Sequence, residues 1–231
     1  MNIKKINLIY WLYKIQKIYK NKKANNHFGE FAEDVFINRV FKNYEKGFYV
    51  DIGAYHPYKG SLTYLLHKKG WRGMNIDLSK VSIDLFKIAR KKDINLNCAV
   101  SKKNGKIFYY ENGAINQQNS ILRQNKKQKK IQITSFQFSE IQKKYNINKI
   151  DYINIDTEGN ELEVLKSINF KRSKPILISV EDNGFNLKKK TKLQKIDYLN
   201  KKNYQLINII GVTMFFLNKQ YKNKINKFIK I

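Results

Sequence analysis

Carboxylates follow four separate runs of strand-forming residues in this sequence. A single carboxylate after a strand is common, because it can cap the next helix. Four of them in one parallel sheet would meet at one edge and form an acidic crevice, in a chain whose background is strongly basic. We therefore interpret the set as functional. Its members are Asp51, Asp77, Asp156 with Glu158, and Glu181.

The loop after the first of these runs indicates the class of ligand. A dinucleotide-binding loop usually carries three glycines, because its backbone turns tightly and approaches a pyrophosphate. Here Gly53 stands alone, followed by Ala54. One glycine is sufficient for a nucleoside without phosphate, such as S-adenosylmethionine. Asp77 lies 24 residues after Gly53, where such sheets place the carboxylate that binds the ribose hydroxyls. The residues therefore predict an S-adenosylmethionine site with Asp51, Gly53, Ala54 and Asp77 as contacts.

If such a ligand gave its methyl group to a hydroxyl, the reaction would need a base, because the acceptor loses its proton as it attacks. His56 suits this role, with an ordinary pKa near ~6.5; capping the next helix or packing on Pro57 is the equally weighted alternative. Asp156 and Glu158 are the other candidates, as a base, an acceptor clamp or oxygen ligands of Mg²⁺. We favour the metal-free route, because beyond these two and Glu181 no further ligand set is visible.

Strands and helices alternate along most of the chain, which is typical of an open, mostly parallel sheet with helices on both faces. We therefore predict an α/β, Rossmann-like fold with an antiparallel strand pair at its C-terminal end. The polar, low-complexity stretch 111–130 is expected to be a mobile loop. The predicted strands are 48–52, 72–76, 94–100, 106–110, 131–134, 152–155, 175–180, 204–210 and 212–217. The predicted helices are 28–44, 61–69, 79–91, 139–145, 161–167 and 193–201.

Two motifs resemble those of the FkbM-type methyltransferases. The first extends from Phe48 to Pro57, continues with Ser61 and Thr63, and includes the segment 70–77; the second is the segment 150–161. The resemblance covers about residues 28–182. It implies the seven-stranded sheet of class I methyltransferases and transfer of a methyl group, usually to a hydroxyl of a sugar or another natural product.

The remaining site residues are assigned within this picture. Cys98 and Ala99 end the third predicted strand and are expected to flank the adenine, although a buried cysteine is more often part of the core. Thr63 and Glu181 are expected to contact the acceptor. On the resemblance, Asp156 and Glu158 follow the central strand, where class I methyltransferases often place residues that face the acceptor.

The charge of the chain suggests a nucleic-acid partner at first sight. There are 46 Lys and Arg against 18 Asp and Glu, a formal net charge of +28. However, nearly all of the basic residues are lysines spread over the whole chain, whereas phosphate and base recognition favours arginine. We therefore expect a solvated lysine surface and no specific nucleic-acid partner, and the resemblance implies a small-molecule or glycan acceptor. The arginines are Arg39, Arg72, Arg90, Arg123 and Arg172.

The domain organisation is expected to be simple. We predict a basic amphipathic segment, 1–26, followed by one methyltransferase domain, 27–231. The segment either contacts a membrane surface peripherally or packs on the flank of the domain. It lacks a small-residue cleavage site, and no apolar stretch approaches the length of a membrane span. Cys98 is the only cysteine, which excludes an intramolecular disulfide and is compatible with the cytoplasm.

Three alternative functions stay open at this point. The charge suggests a nucleic-acid methyltransferase, although Pro57 and Pro175 are the only prolines, so the Asn/Asp-Pro-Pro-aromatic motif of many base N-methylating enzymes cannot occur. A nicotinamide-dependent oxidoreductase is disfavoured by the missing glycines. A non-catalytic nucleotide-binding relative is disfavoured by the complete set of acidic strand ends. The acceptor, its methylated position and the oligomeric state do not follow from the sequence.

Overall fold

The strands of the computed structural model follow the apolar runs of the sequence. The structure describes residues 10–16, 26–113, 116, 118–123, 126–182 and 190–225. Within them the strands are β1 (Phe48–Ile52), β2 (Arg72–Asp77), β3 (Ile94–Asn97), β4 (Ala99–Val100), β5 (Gly105–Glu111), β6 (Lys129–Phe136), β7 (Tyr152–Ile155), β8 (Leu177–Glu181), β9 (Tyr204–Ile210) and β10 (Thr213–Asn218).

The helices lie mostly between these strands. Helix α1 comprises residues 10–16. The others are α2 (Glu33–Val40), α3 (Tyr64–Lys68), α4 (Lys80–Ala89), α5 (Phe138–Lys144), α6 (Glu161–Ser167), α7 (Lys190–Lys201) and α8 (Lys222–Ile225), with a 3₁₀ turn at Lys219–Tyr221.

The main sheet has seven strands in the order β3-β2-β1-β7-β8-β10-β9. Strand β1 pairs in parallel with both β2 and β7, and β7 pairs in parallel with β8. Strand β10 is antiparallel to both of its neighbours. The predicted mostly parallel, Rossmann-like sheet with an antiparallel C-terminal pair is therefore confirmed. Because β1 and β7 are adjacent, their carboxyl ends place the two sequence motifs side by side.

Both faces of the sheet are covered by helices, which explains why its central strands are almost fully buried. One apolar cluster joins α2 and α3 to the sheet through residues such as Phe41, Leu66 and Trp71. The cluster on the other face involves α5, α6 and α7, with Ile141 and Leu165 among its members. Because these parallel strands are buried on both faces, their sequences are continuous apolar runs and do not alternate between apolar and polar residues.

The prediction of one continuous third strand, 94–100, was wrong. Strand β3 ends at Asn97 and stays in the main sheet, whereas Ala99 and Val100 pair with β6 in a second sheet of order β4-β6-β5. The side chain of Asn97 donates to the backbone carbonyls of Asp77 and Leu78, at 3.0 and 2.7 Å. This local hydrogen bonding coincides with the point where the chain leaves the main sheet.

The first predicted helix, 28–44, is shorter than expected. Before α2 the chain forms a turn in which Ala32 has a positive φ of 62°. The carboxylates of Glu33 and Asp34 accept hydrogen bonds from the backbone amides of Phe31 and Phe28, both at 2.8 Å. These side chains bind the amides of the preceding turn, which therefore does not continue the helix.

The N-terminal segment is described only over α1. Its Tyr10 hydroxyl donates to Asp84 of α4 at 3.3 Å, so this part of the segment contacts the flank of the domain. In the part of the chain that the structure describes, no helix has the length and hydrophobicity needed to cross a bilayer.

Candidate active site

A cleft opens beyond the carboxyl ends of the central strands. This is the edge of an open α/β sheet at which ligands bind. The structure brings together at this cleft all six residues predicted to contact the cofactor, which are Asp51, Gly53, Ala54, Asp77, Cys98 and Ala99.

Gly53 lets the first loop pass against the backbone of the central motif. Its φ is +84°, and a Cβ atom at this position would overlap the carbonyl oxygen of Asp156. The amides of Gly53 and Ala54 both donate to the carbonyl oxygen of Ile76, at 2.9 and 3.1 Å. A glycine is therefore required here by the packing of three loops, before any ligand is considered.

Asp77 ends β2 and faces the cleft. One of its carboxylate oxygens accepts the amide of Tyr55 at 2.8 Å and the other accepts the amide of Ser79 at 2.7 Å. Burial nevertheless raises the pKa of Asp77 to about 6, so the carboxylate is charged at neutral pH. Each carboxylate oxygen has a second lone pair, and together they can accept both hydroxyls of a ribose.

Asp51 lies beneath the first loop, almost without solvent exposure. It accepts hydrogen bonds from Thr63 at 2.8 Å and from Asn154 of β7 at 2.9 Å. Burial raises its pKa. Through these hydrogen bonds, Asp51 connects β1 to β7 and to the loop before α3. Thr63 is fully buried in the same network, which favours a positioning role; its predicted contact with the acceptor stays a prediction.

Arg90 was not identified as a site residue from the sequence. It is buried, although it is charged, and its guanidinium donates to the hydroxyls of Thr63 and Ser61, both at 2.8 Å, and to the carbonyl of Pro57. One cation thus binds the loop that connects β1 to α3 at three points. The composition could have indicated this role for Arg90. An arginine is rare in this lysine-rich chain, and its guanidinium suits several simultaneous hydrogen bonds better than the ammonium group of lysine.

The opposite end of the cleft is more apolar. Cys98 and Ala99 line it, and burial raises the pKa of the Cys98 thiol to about 12, so that it stays protonated and uncharged. Asn160 closes this region from the side of α6, because its side chain donates to the carbonyl of Val100 at 3.1 Å. An apolar wall beside a polar floor suits an adenine ring with its ribose.

The polar stretch 111–130 contributes to the cleft. Its first residue belongs to β5 and its last two residues belong to β6. Between these strands, Asn116, Asn119 and Ile121 line the cleft. Ser120 is fully buried and its hydroxyl donates to the backbone carbonyl of Glu158 at 2.9 Å. This stretch therefore contacts the turn after the central strand; its mobility stays a prediction.

His56 is buried next to the cleft without lining it. Its Nδ1 accepts the backbone amides of Tyr58 and Lys59, at 3.1 and 3.0 Å. Two donors on Nδ1 require that nitrogen to be unprotonated, so the ring proton resides on Nε2. This geometry favours the capping alternative over a general base. The catalytic role of His56 stays a prediction, for which a discriminating variant exists (see Discussion).

A second cavity adjoins the cleft. Asn154, Asp156 and Gly60 line both spaces, so the two meet at the end of the central strand. The N-terminal turn supplies Glu30 and Glu33 to the second cavity, and β8 supplies Glu181. We refer to this second space as the acceptor pocket, because the proposed function places the acceptor there.

Three carboxylates converge between the cleft and the acceptor pocket. Asp156, Glu158 and Glu181 each place one oxygen within 4.8 Å of the others. Burial, followed by the nearby charge of Glu181, raises the pKa of Asp156 well above its usual range, and burial also raises the pKa of Glu181. The carboxyl groups of Asp156 and Glu181 are close enough for the charge of one to raise the pKa of the other, which favours a single proton shared by the pair.

A buried lysine forms ion pairs with two carboxylates that neighbour this cluster in the sequence. Lys195 of α7 contacts Glu161 and Asp182, both at 3.0 Å. Glu161 in turn accepts the amides of Thr157 and Gly159, at 3.2 and 2.7 Å, and so holds the turn that follows Asp156. Lys195 lies outside the sequence motifs, and nothing in the sequence distinguishes it from the other lysines.

Comparison with known proteins agrees with this architecture. A family model described as the methyltransferase FkbM domain matches residues 51–206, well over half of the chain. No curated protein matches it significantly. Seven solved chains do.

Three of the similar solved structures show how distant these likenesses are. One is a methyltransferase from Pyrococcus furiosus (12% identity, TM-score 0.40, 92% of this chain and 98% of that one). Another is the fibrillarin pre-rRNA processing protein of Methanococcus jannaschii (12%, 0.46, 84% and 76%). A third is the 1,6-didemethyltoxoflavin-N1-methyltransferase of Burkholderia thailandensis, with 1,6-didemethyltoxoflavin and S-adenosylhomocysteine bound (10%, 0.41, 93% and 89%).

Such distant likenesses carry no information on the substrate. The family match, in contrast, includes the first motif from Asp51 onwards, the whole second motif and the residues that line the cleft. The chain therefore belongs to the FkbM methyltransferase family.

Proposed function

We propose that this methyltransferase transfers the methyl group of S-adenosylmethionine to a hydroxyl of a sugar, a glycan or another small molecule. The observation that carries the proposal is the junction of the two cavities at Asp156. A nucleoside that fills the cleft, with its ribose at Asp77 and its adenine near Cys98, directs its sulfonium end towards this junction. An acceptor in the second cavity then faces the methyl carbon from the opposite side, as in-line displacement requires.

The carboxylate pair Asp156 and Glu181 is the base that this geometry favours. The acceptor oxygen attacks the methyl carbon as its proton moves to the pair, the bond between sulfur and methyl breaks, and sulfur keeps the electron pair in S-adenosylhomocysteine. A carboxylate with a raised pKa is a stronger base than an ordinary one. The cavity is partly closed to water, so the dielectric constant is lower there and the charge of the carboxylate interacts more strongly with the acceptor.

Asp77→Ala is expected to weaken cofactor binding by about 1.5–3 kcal/mol, because a charged acceptor of the ribose hydroxyls is lost. Asp77→Asn keeps the shape of the side chain, so its affinity for the cofactor should fall less than that of Asp77→Ala. Since the pKa of Asp77 is about 6, wild-type affinity should also fall as the pH drops below that value. Titration calorimetry with S-adenosylhomocysteine between pH 5 and 8 measures both effects; equal affinity in all three proteins would remove Asp77 from the ribose site.

A divalent metal ion at Asp156, Glu158 and Glu181 is the alternative scheme, since their oxygens lie close enough to share one ion. We propose the metal-free route, because the described part of the chain adds no histidine and no further carboxylate to these three as a ligand. Activity is accordingly expected to persist in excess EDTA. Loss of turnover in EDTA, restored by Mg²⁺ or Mn²⁺ alone, would instead establish the metal scheme.

The acceptor class is tested by incubating the enzyme with S-adenosylmethionine labelled in its methyl group and with fractionated glycans, lipids and RNA. Label in the glycan or small-molecule fraction, stable to mild base, supports an O-methylated hydroxyl. Label in RNA would favour the nucleic-acid methyltransferase that the net charge suggested. Weak RNA binding without transfer, lost steeply with salt, is what a diffuse lysine surface should give.

A further inference from the structure

Helix α1 presents four consecutive large apolar side chains on the outside of the protein. The exposed fractions are 36% for Tyr10, 50% for Trp11, 51% for Leu12 and 38% for Tyr13. Single exposed apolar residues are ordinary, whereas a contiguous group marks a contact surface. Trp and Tyr are also the residues that favour the boundary between water and lipid, because each combines an apolar ring with a polar group.

The segment that contains this group carries charges of only one sign. Residues 1–23 contain no Asp or Glu, and their seven lysines are Lys4, Lys5, Lys14, Lys17, Lys20, Lys22 and Lys23. The neighbouring helix α4 adds Lys80 and Lys87, whose side chains are 72% and 58% exposed. In the described residues, the apolar centre of α1 thus lies near the basic side chains of Lys14, Lys80 and Lys87.

The contacts that hold α1 leave its apolar centre accessible. Tyr10 donates to Asp84 at 3.3 Å, and the ammonium group of Lys14 lies 3.9 Å from the same carboxylate. Both anchoring contacts therefore meet at one point on α4. Trp11 and Leu12, which lie between these two anchors in sequence, are the most exposed of the four apolar residues.

We propose that α1 docks the protein on the surface of an anionic lipid bilayer. Trp11 and Leu12 enter the headgroup region, and the lysines contact the anionic headgroups. Apolar burial and electrostatic attraction add in such helices, and each lysine near a charged bilayer contributes to the attraction.

Other occupants fit this surface less well. A second copy of the chain carries the same net charge of +28, so that two such surfaces repel each other. Nucleic acid would bind the lysines, but contacts with phosphates leave Trp11 and Leu12 without a partner. The bilayer is the occupant that uses both the charge and the apolar side chains.

The test is cosedimentation of the full chain with vesicles of phosphatidylcholine containing 30% phosphatidylserine, and with vesicles of phosphatidylcholine alone. The double variant Trp11→Ser, Leu12→Ser is compared with Leu193→Ser, which removes an apolar residue of 46% exposure from the lysine-rich helix α7. We expect binding to the anionic vesicles only, lowered roughly tenfold to hundredfold by the double variant and little changed by the control.

Equal binding by the wild type and the double variant would overturn the proposal, as would failure of the wild type to bind anionic vesicles. Loss of affinity for a single-stranded RNA in the double variant, without a change in vesicle binding, would assign the surface to nucleic acid. Calorimetry with S-adenosylhomocysteine should give the same affinity for all three proteins, which separates this proposal from the proposed function.

Discussion

Replacing Asp156 by asparagine is expected to lower the rate of methyl transfer by roughly 10²–10⁴, the usual effect of losing a general base, with little change in cofactor affinity. The carboxylate lies where the two cavities meet and places an oxygen within 4.8 Å of an oxygen of Glu181. An asparagine has nearly the same shape but cannot accept the acceptor's proton. Single-turnover kinetics with saturating cofactor measures the chemical step.

The pH profile adds an independent readout. The pKa of Asp156 is raised, mainly by burial, and the base is active only when it is deprotonated. The wild-type rate should therefore rise with pH until this raised pKa is passed, and the rise should be absent in Asp156→Asn. A flat wild-type profile across the range in which the protein stays folded would argue against the carboxylate base.

The matched control is His56→Asn. An asparagine oxygen can accept the amides of Tyr58 and Lys59 in place of Nδ1, but it cannot act as a base near neutral pH. We expect His56→Asn to keep most of the activity. Loss of turnover in His56→Asn with full activity in Asp156→Asn would restore the histidine as the base, and full activity in both would point to catalysis by proximity alone.

Gly53→Ala is expected to have the other large effect. The added methyl group would overlap the carbonyl oxygen of Asp156, and the positive φ of Gly53 is unfavourable for alanine. Because backbone must move, the free energy of unfolding should fall by about 2–5 kcal/mol. A displaced Asp156 should also lower turnover in the molecules that stay folded, by roughly 10². Thermal unfolding and turnover per folded molecule are measured together.

Gly70→Ala is the control for this substitution. Gly70 also has a positive φ, +100°, but its added Cβ would meet no atom within 4 Å. Its free energy of unfolding should fall by about 1–2 kcal/mol, the cost of the positive φ alone, and its cofactor affinity and turnover should not change. If both alanine variants behaved alike, the close contact between Gly53 and Asp156 would have no functional consequence.

The sequence predicted the features that depend on local patterns. The bounds of β1, β7, β9 and α6 agree with the prediction, because each is an unbroken apolar or amphipathic run with a clear turn beside it. The predicted cofactor contacts meet in one cleft for a topological reason, since the carboxyl ends of parallel strands meet at one edge of the sheet.

The features that the sequence did not reveal depend on distant contacts. The acceptor pocket takes Glu30 and Glu33 from a turn that precedes β1, and only the folded chain brings this turn to Glu181. The roles of Arg90 and Lys195 likewise come from burial, which the sequence of a lysine-rich chain does not report. The end of β3 at Asn97 depends on side-chain hydrogen bonds to the neighbouring strand end.

Titration calorimetry of the purified chain with S-adenosylmethionine, S-adenosylhomocysteine and NAD tests the central claim most directly. The cleft carries one glycine in its first loop and an acidic strand end at Asp77, an arrangement suited to a nucleoside without a pyrophosphate. We expect both sulfur nucleosides to bind with one site per chain and NAD to bind much more weakly. Heat of binding with NAD, and none with either sulfur nucleoside, would contradict the account.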